Sequence, residues 1–93
     1  MQKEIRYDKV IEFIRELKSQ GITQVAFSEI NEKRPRQISE NILRVEDMVR
    51  VDILAYKNST IFKCVLEGVN LDSLRGEFES QGFEVTRRSR NIT

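Results

Sequence analysis

The sequence predicts an α+β fold, a two-layer sandwich with about three helices packed on one face of a four-stranded, mostly antiparallel sheet. Three segments carry apolar residues at helical spacing, and four others alternate or concentrate β-branched and aromatic residues as strands do. The 93 residues are enough for a single domain, predicted to span residues 1–93 with a basic tail from about residue 87. Because so short a chain cannot bury three helices, we expect them to cover a sheet.

The first predicted helix lies near the N-terminus. Its apolar residues recur at helical spacing: Val10, Ile11, Ile14 and Leu17. Gly21 stands where a left-handed C-terminal cap belongs. The start has two solutions, because Asp8 could be the N-cap and leave residues 2–7 extended, or the helix could begin near Lys3.

A short strand and a second helix are predicted next. Residues 22–27 are rich in β-branched and aromatic side chains, and residues 28–33 either end this strand or form one capped turn. Pro35 disfavours helical geometry at the residue before it, which makes residues 33–36 a predicted loop. The second amphipathic helix is predicted from Gln37 to Met48, because three apolar residues return at intervals of four and three: Ile38, Ile42 and Val45.

The clearest strand signal is a hairpin. Apolar and polar residues alternate from Val49 to Tyr56, residues 57–59 are turn formers, and residues 60–66 are again β-branched and aromatic. The returning strand has apolar residues on both sides and is predicted to be central in the sheet.

The C-terminal part predicts one more helix and strand. Asn70 is a suitable N-cap for a helix with a buried stripe of Leu71, Leu74 and Phe78. Residues 83–86 alternate as the last strand, and residues 87–93 are either a polar tail or a continuation of that strand.

Residue types argue against catalysis. The chain has no histidine and a single cysteine, Cys64, which lies between apolar residues of a predicted strand. A buried thiol with no histidine to activate it is a poor nucleophile, and one cysteine cannot build a disulfide or a cysteine zinc site. No phosphate-binding glycine loop or EF-hand spacing occurs. We therefore expect no enzyme, no cofactor and no metal.

Hydropathy predicts no membrane contact. No apolar stretch approaches the length of a membrane span, and the first residues lack the apolar core of a signal peptide. The expected compartment is the cytoplasm.

Positive charge is clustered in two places, although 16 basic against 15 acidic residues leave a net charge of only +1. The first cluster is Lys33, Arg34 and Arg36, and the second is Arg87, Arg88 and Arg90. Basic clusters of this kind suit phosphate contacts. The leading expectation is a small protein that binds DNA or RNA through these six residues.

The order of elements from Val10 to Leu66 resembles winged helix-turn-helix DNA-binding domains. The resemblance is carried by residues 28–33, by the predicted helix that opens at Gln37, and by the hairpin after it. It implies an alternative fold, a winged helix-turn-helix with a C-terminal extension. It also implies a recognition face on the second helix, formed by Arg36, Gln37, Glu40, Asn41 and Arg44.

A second function fits the sequence as well, namely a protein-interaction module or a self-assembling homo-oligomer such as a homodimer. The last strand, from Phe83 to Thr86, could offer a free edge, and near-zero net charge does not oppose association.

Overall fold

The computed structural model describes the backbone of residues 2–91 and the side chains of residues 2–87. Two helices and five strands follow one another in the order β1 (Lys3–Tyr7), α1 (Val10–Ser19), β2 (Gln24–Ser39), β3 (Ile42–Lys57), β4 (Thr60–Glu67), α2 (Leu71–Ser80) and β5 (Glu84–Asn91).

The strands form one mixed sheet in the order β1-β4-β3-β2-β5. β1 pairs in parallel with β4, and β2 pairs in parallel with β5, whereas β3 is antiparallel to both of its neighbours. The helices are crossovers between parallel strands that are not neighbours. α1 joins β1 to β2, and α2 joins β4 to β5, so each connection passes over two intervening strands. Both helices contribute to one hydrophobic core on the same face of the sheet.

The predicted fold class is wrong in its number of elements and in its sheet type. The described residues contain two helices where three were predicted, and a five-stranded mixed sheet where a four-stranded antiparallel one was predicted. The additional strand is β1. The sequence allowed residues 2–7 to be extended if Asp8 was the N-cap of the first helix, and in the structure residues 3–7 form a strand. The helix begins one residue later than that cap implies, at Val10.

The predicted helix from Gln37 to Met48 is also wrong. These residues form the end of β2, a turn at Glu40 and Asn41, and the first half of β3. Tertiary pairing overrides the helical spacing here, because residues 26–39 and 42–54 satisfy each other's backbone groups across an antiparallel ladder. Since the second helix is absent, the winged helix-turn-helix alternative and its recognition helix are wrong too.

The local signals around the other elements are confirmed. Gly21 has a φ of 72°, and the amide of Ile22 closes the cap by donating to the carbonyl of Leu17 at 2.9 Å. The side chain of Asn70 accepts a hydrogen bond from the amide of Ser73 at 3.0 Å, as an N-cap does. The predicted hairpin is β3 with β4, turned at Asn58 with a φ of 57°.

The core lies between the two helices and one face of the sheet. Seven large side chains there are almost completely buried: Phe13, Leu17, Phe27, Val51, Ile53, Cys64 and Phe78. The opposite side of the sheet, hereafter the open face, is covered by neither helix. Half-exposed apolar side chains such as Leu54 and Ile61 alternate there with charged ones.

Candidate interaction surface

The most distinctive feature of the molecule is a projecting two-stranded ribbon. β5 pairs with β2 only as far as Asn31, and β4 pairs with β3 only as far as Arg50. Residues 32–49, hereafter the arm, are therefore paired only with each other in the described part of the chain. The radius of gyration of 15.4 Å exceeds the about 12 Å expected for a compact domain of this length. The arm makes the molecule elongated.

Cross-strand pairing decides which arm side chains share a side, because directly opposite residues in an antiparallel pair point the same way. On the side continuous with the open face lie Glu32 with Met48, Arg34 with Glu46, and Arg36 with Arg44. On the side continuous with the helices lie Lys33 with Asp47, Pro35 with Val45, and Gln37 with Leu43.

Where the arm leaves the sheet, its open side carries an ion-pair network, hereafter the base network, formed by Glu32, Arg34, Arg50, Asp52 and Glu67. Arg34 contacts Glu32 at 2.9 Å and Glu67 at 3.2 Å, and Arg50 contacts Glu32 at 3.3 Å. The hydrogen bond to Glu32 and the charge of Glu67 raise the pKa of Arg34. Three carboxylates against two arginines leave the base network one unit negative.

Asp52 is the most buried charged residue of this network, with 8% of its surface exposed. Its Oδ1 lies 3.2 Å from Nε of Arg50. Neither of these two atoms makes a hydrogen bond of good geometry within the described residues. The contact is an ion pair that leaves hydrogen-bonding capacity unused on both groups.

The far end of the arm, hereafter the arm tip, comprises residues 36–46. It exposes four aliphatic side chains by more than half: Ile38 (55%), Ile42 (57%), Leu43 (70%) and Val45 (65%). Arg36 and Arg44 stand directly opposite each other on the open side. Arg36 has Glu46 at 3.6 Å, whereas Arg44 has no carboxylate at ion-pairing distance among the described residues. Two arginines and Glu46 leave the open side of the arm tip one unit positive.

The first predicted basic cluster is split by the arm. Arg34 and Arg36 lie on its open side, where carboxylates contact both of them, and Lys33 lies on the opposite side. Over residues 32–49, four basic side chains (Lys33, Arg34, Arg36, Arg44) are balanced by four acidic ones (Glu32, Glu40, Glu46, Asp47). The arm as a whole is neutral.

The second predicted basic cluster lies on β5, beside the base of the arm. Arg87 contacts Glu29 at 3.1 Å and Asp72 at 3.8 Å. The backbone of Arg88 and Arg90 runs parallel to β2, with Arg90 in register with Ile30, but their side chains lie outside the described ones. The fold therefore places both clusters on neighbouring strands.

A shallow groove crosses the open face next to the base network. It is lined by residues of β2 and β3, among which Phe27 has its side chain in the core on the other face: Ala26, Phe27, Ser28, Ile30, Arg50, Asp52, Leu54 and Tyr56. Ile30 is buried, whereas Tyr56 is 60% exposed at the other end. The groove thus combines apolar walls with the incompletely bonded Arg50 and Asp52.

The thiol of Cys64 is buried, and the acidic residues of the described part build no metal site. Burial raises the pKa of Cys64 from 9.0 to about 11, with a smaller contribution from the charge of Asp8. No group of three histidine, cysteine or acidic side chains among the described residues could hold a metal ion. No helix of the described residues is long and apolar enough to cross a membrane.

Sequence reasoning missed the base network and misassigned the arm tip. Ile42 and Val45 were expected to be the buried stripe of a helix, but in the structure they are exposed. The network is spread over three strands, and its long-range pair joins Arg34 to Glu67. One signal was available for the arm, because the apolar Leu43 and Val45 alternate with the charged Arg44 and Glu46 as residues of a strand do.

Comparison with protein-family models, with curated proteins and with solved structures finds no match to this chain.

Proposed function

We propose that this protein acts by binding rather than by catalysis, and that its arm docks on a second copy of the same chain. The observation that carries the proposal is the arm tip, where four aliphatic side chains are more than half exposed on an electrically neutral projection.

Exposed aliphatic residues at the end of a projecting ribbon are typical of a contact surface. A two-stranded ribbon is marginally stable by itself in water, so contacts with another surface would hold it in place. Burying an aliphatic side chain stabilises by about 1.5–3 kcal/mol. A symmetric dimer covers apolar side chains of two arm tips at once, and this burial must supply the about 8 kcal/mol of micromolar association after the cost of immobilising the partners.

The charge pattern supports association with a like molecule. Arm and chain are both close to neutral, so two copies do not repel each other at long range. The arm tip is one unit positive on the side where the base network is one unit negative. A surface that carries both signs on one face can complement a copy of itself.

The test is sedimentation equilibrium of the wild-type chain over a range of concentrations, compared with two serine substitutions. Ile42→Ser removes an aliphatic side chain from the arm tip, and we expect the dissociation constant to rise at least tenfold. Ile11→Ser is the matched control, because Ile11 is equally exposed (64%) but lies on α1, away from the arm. A wild-type chain that remains monomeric at every concentration would overturn the proposal, as would equal weakening by both variants.

Nucleic-acid binding is the second candidate, favoured by Arg36 and Arg44. These like charges face each other across the arm without a carboxylate beside Arg44 within the described residues, an arrangement that suits an anion between them. A two-stranded ribbon fits the major groove of duplex DNA. The ion pairs of Arg34 and Arg36 lie at the surface, where water and salt weaken them, so phosphates could replace their carboxylate partners.

This candidate is tested by fluorescence anisotropy with mixed-sequence duplex DNA and with single-stranded RNA at two salt concentrations. We expect the affinity to fall steeply with salt, and Arg34→Ala with Arg36→Ala to weaken binding almost uniformly across sequences. The matched control is Arg75→Ala, which removes an exposed arginine of α2 that pairs with Glu79. Absence of binding at low salt would exclude the candidate.

A further inference from the structure

We infer that two copies pair by laying their arms face to face in antiparallel orientation, so that the arm tip of each copy covers the base network and groove of the other. This inference rests on the proposed self-association and specifies its geometry. The occupant of the groove is the arm tip of a second copy.

The order of charges along the open side of the arm favours an antiparallel orientation. From the sheet outward, the base network with its excess carboxylate comes first, and Arg36 and Arg44 with their excess positive charge follow. An antiparallel arrangement places the positive end of each arm over the negative end of the other, and a parallel one places like charges together. Charge complementarity therefore selects the antiparallel orientation.

The unused ion-pairing capacity of Arg44 favours the same orientation. Arg44 has no carboxylate at ion-pairing distance within the described residues, whereas the side chain of Glu67 in the base network is 44% exposed. A guanidinium group donates up to five hydrogen bonds, and a carboxylate accepts several. In the antiparallel pair, Arg44 of one copy approaches Glu67 of the other.

Apolar surfaces lie at both ends of the same side of the arm. Ile42 continues the open side of the arm beyond Arg44, since residues two apart on a strand face the same way. The groove lies on the same side of the strands but at the other end, toward the sheet and beyond Arg50. Ile30 and Leu54 are apolar residues in its walls. If the two-fold axis passes between the rows of Glu32 and Arg34, the row of Arg36 and Arg44 lies over the row that Ile30, Arg50 and Glu67 form. Ile42 then lies over the row of Ser28 and Asp52 in the groove.

The register is tested by cross-linking through introduced cysteines. Met48 faces the partner next to the two-fold axis, so Met48→Cys should give a covalent dimer with a short bismaleimide. Asp47→Cys is the matched control, because its side chain lies on the other side of the same strand. The wild-type chain, whose only thiol is the buried Cys64, is the blank.

The charge argument is tested by reversing one charge on each side of the arm. Arg44→Glu should weaken association at least tenfold in sedimentation equilibrium, because it places a carboxylate over the base network. Lys33→Glu makes the same change of charge on the other side of the arm and should leave the dissociation constant within about twofold.

The outcomes separate this inference from the function on which it rests. If the wild-type chain dimerises but Met48→Cys fails to cross-link, or cross-links no faster than Asp47→Cys, the antiparallel arrangement is wrong and self-association stands. Equal effects of Arg44→Glu and Lys33→Glu lead to the same conclusion. A monomeric wild-type chain overturns both, and monomers that bind duplex DNA would favour the second candidate.

Discussion

Phe78 illustrates how one side chain ties the two layers together. Its ring lies 5.3 Å from that of Phe27 on the sheet, 6.4 Å from that of Phe13 on α1, and 5.5 Å from that of Phe83 at the start of the last strand. All three contacts are edge-to-face, a geometry worth about 0.5–1.5 kcal/mol per pair beyond the burial of the rings. The sequence predicted Phe78 as part of a buried stripe because its helical spacing is a local signal.

The thiol of Cys64 gives the stability of the protein a pH dependence. Because burial raises its pKa from 9.0 to about 11, the folded state holds the thiol proton more tightly than the unfolded state does. The associated stability is complete below pH 9 and is lost as the pH rises from 9 through 11.

Urea unfolding of the wild type and of Cys64→Ala checks this expectation. The free energy of unfolding of the wild type should fall relative to that of the variant by about 2 kcal/mol between pH 8.5 and 11. Cys64→Ala is the control, because every ionisable group other than the thiol is the same in the two proteins. A difference between the two proteins that does not change with pH would contradict the expectation.

Surface ion pairs could not be predicted residue by residue. Arg34 stands between Lys33 and Arg36 in the sequence, so the local pattern predicts that it belongs to a phosphate-binding cluster. Its position in the fold places Glu32 of its own strand and Glu67 of β4 beside it. The pairing depends on strand register, which no local pattern specifies.

At the scale of elements, caps and turns were predictable and the arm was not. Gly21 and Asn70 act through contacts within a few residues, so their residue type is enough to mark a helix end. The spacing of Ile38, Ile42 and Val45 suits a helix, but two long strands can pair over the same residues. Pro35 is tolerated in β2 because the strand has lost its outer neighbour there in the described chain.

The arm should be removable without unfolding the rest. No buried core residue of the described chain lies within residues 32–49. Replacing residues 33–47 by Asn-Gly would join Glu32 to Met48, its partner across the ladder, through a two-residue hairpin turn of a favoured type. We expect cooperative urea unfolding with a free energy within about 1–2 kcal/mol of the wild type, together with loss of self-association.

Circular dichroism during urea unfolding measures the stability of the shortened chain. Sedimentation measures its self-association. The control is the wild-type chain at a concentration low enough to be monomeric. A shortened chain without a cooperative transition would mean that the arm belongs to the folding core. A shortened chain that still dimerises would place the contact elsewhere, on the open face or on a sheet edge.

At the scale of the whole molecule, strand order was beyond sequence reasoning. The connections β1-α1-β2 and β4-α2-β5 both cross the sheet toward the β5 edge. As a result β3, the one antiparallel strand among those described, lies in the middle. The strand β4, expected to be central, is internal but lies one position from the edge, because β1 pairs with its outer side. The two helices cover one face only, and the open face that results is the surface on which the proposed docking depends.

The parallel pairing of β1 with β4 also constrains the order in which the chain can fold. Lys3 finds its partner in Thr60, so β1 has no neighbour until β4 has been synthesised. Local hairpins close within microseconds, whereas pairings between distant segments are slower because a long loop must close first. The ladders β2–β3 and β3–β4 are therefore expected to form before β1 docks, and on the ribosome the first strand of the sheet would be among the last to join it.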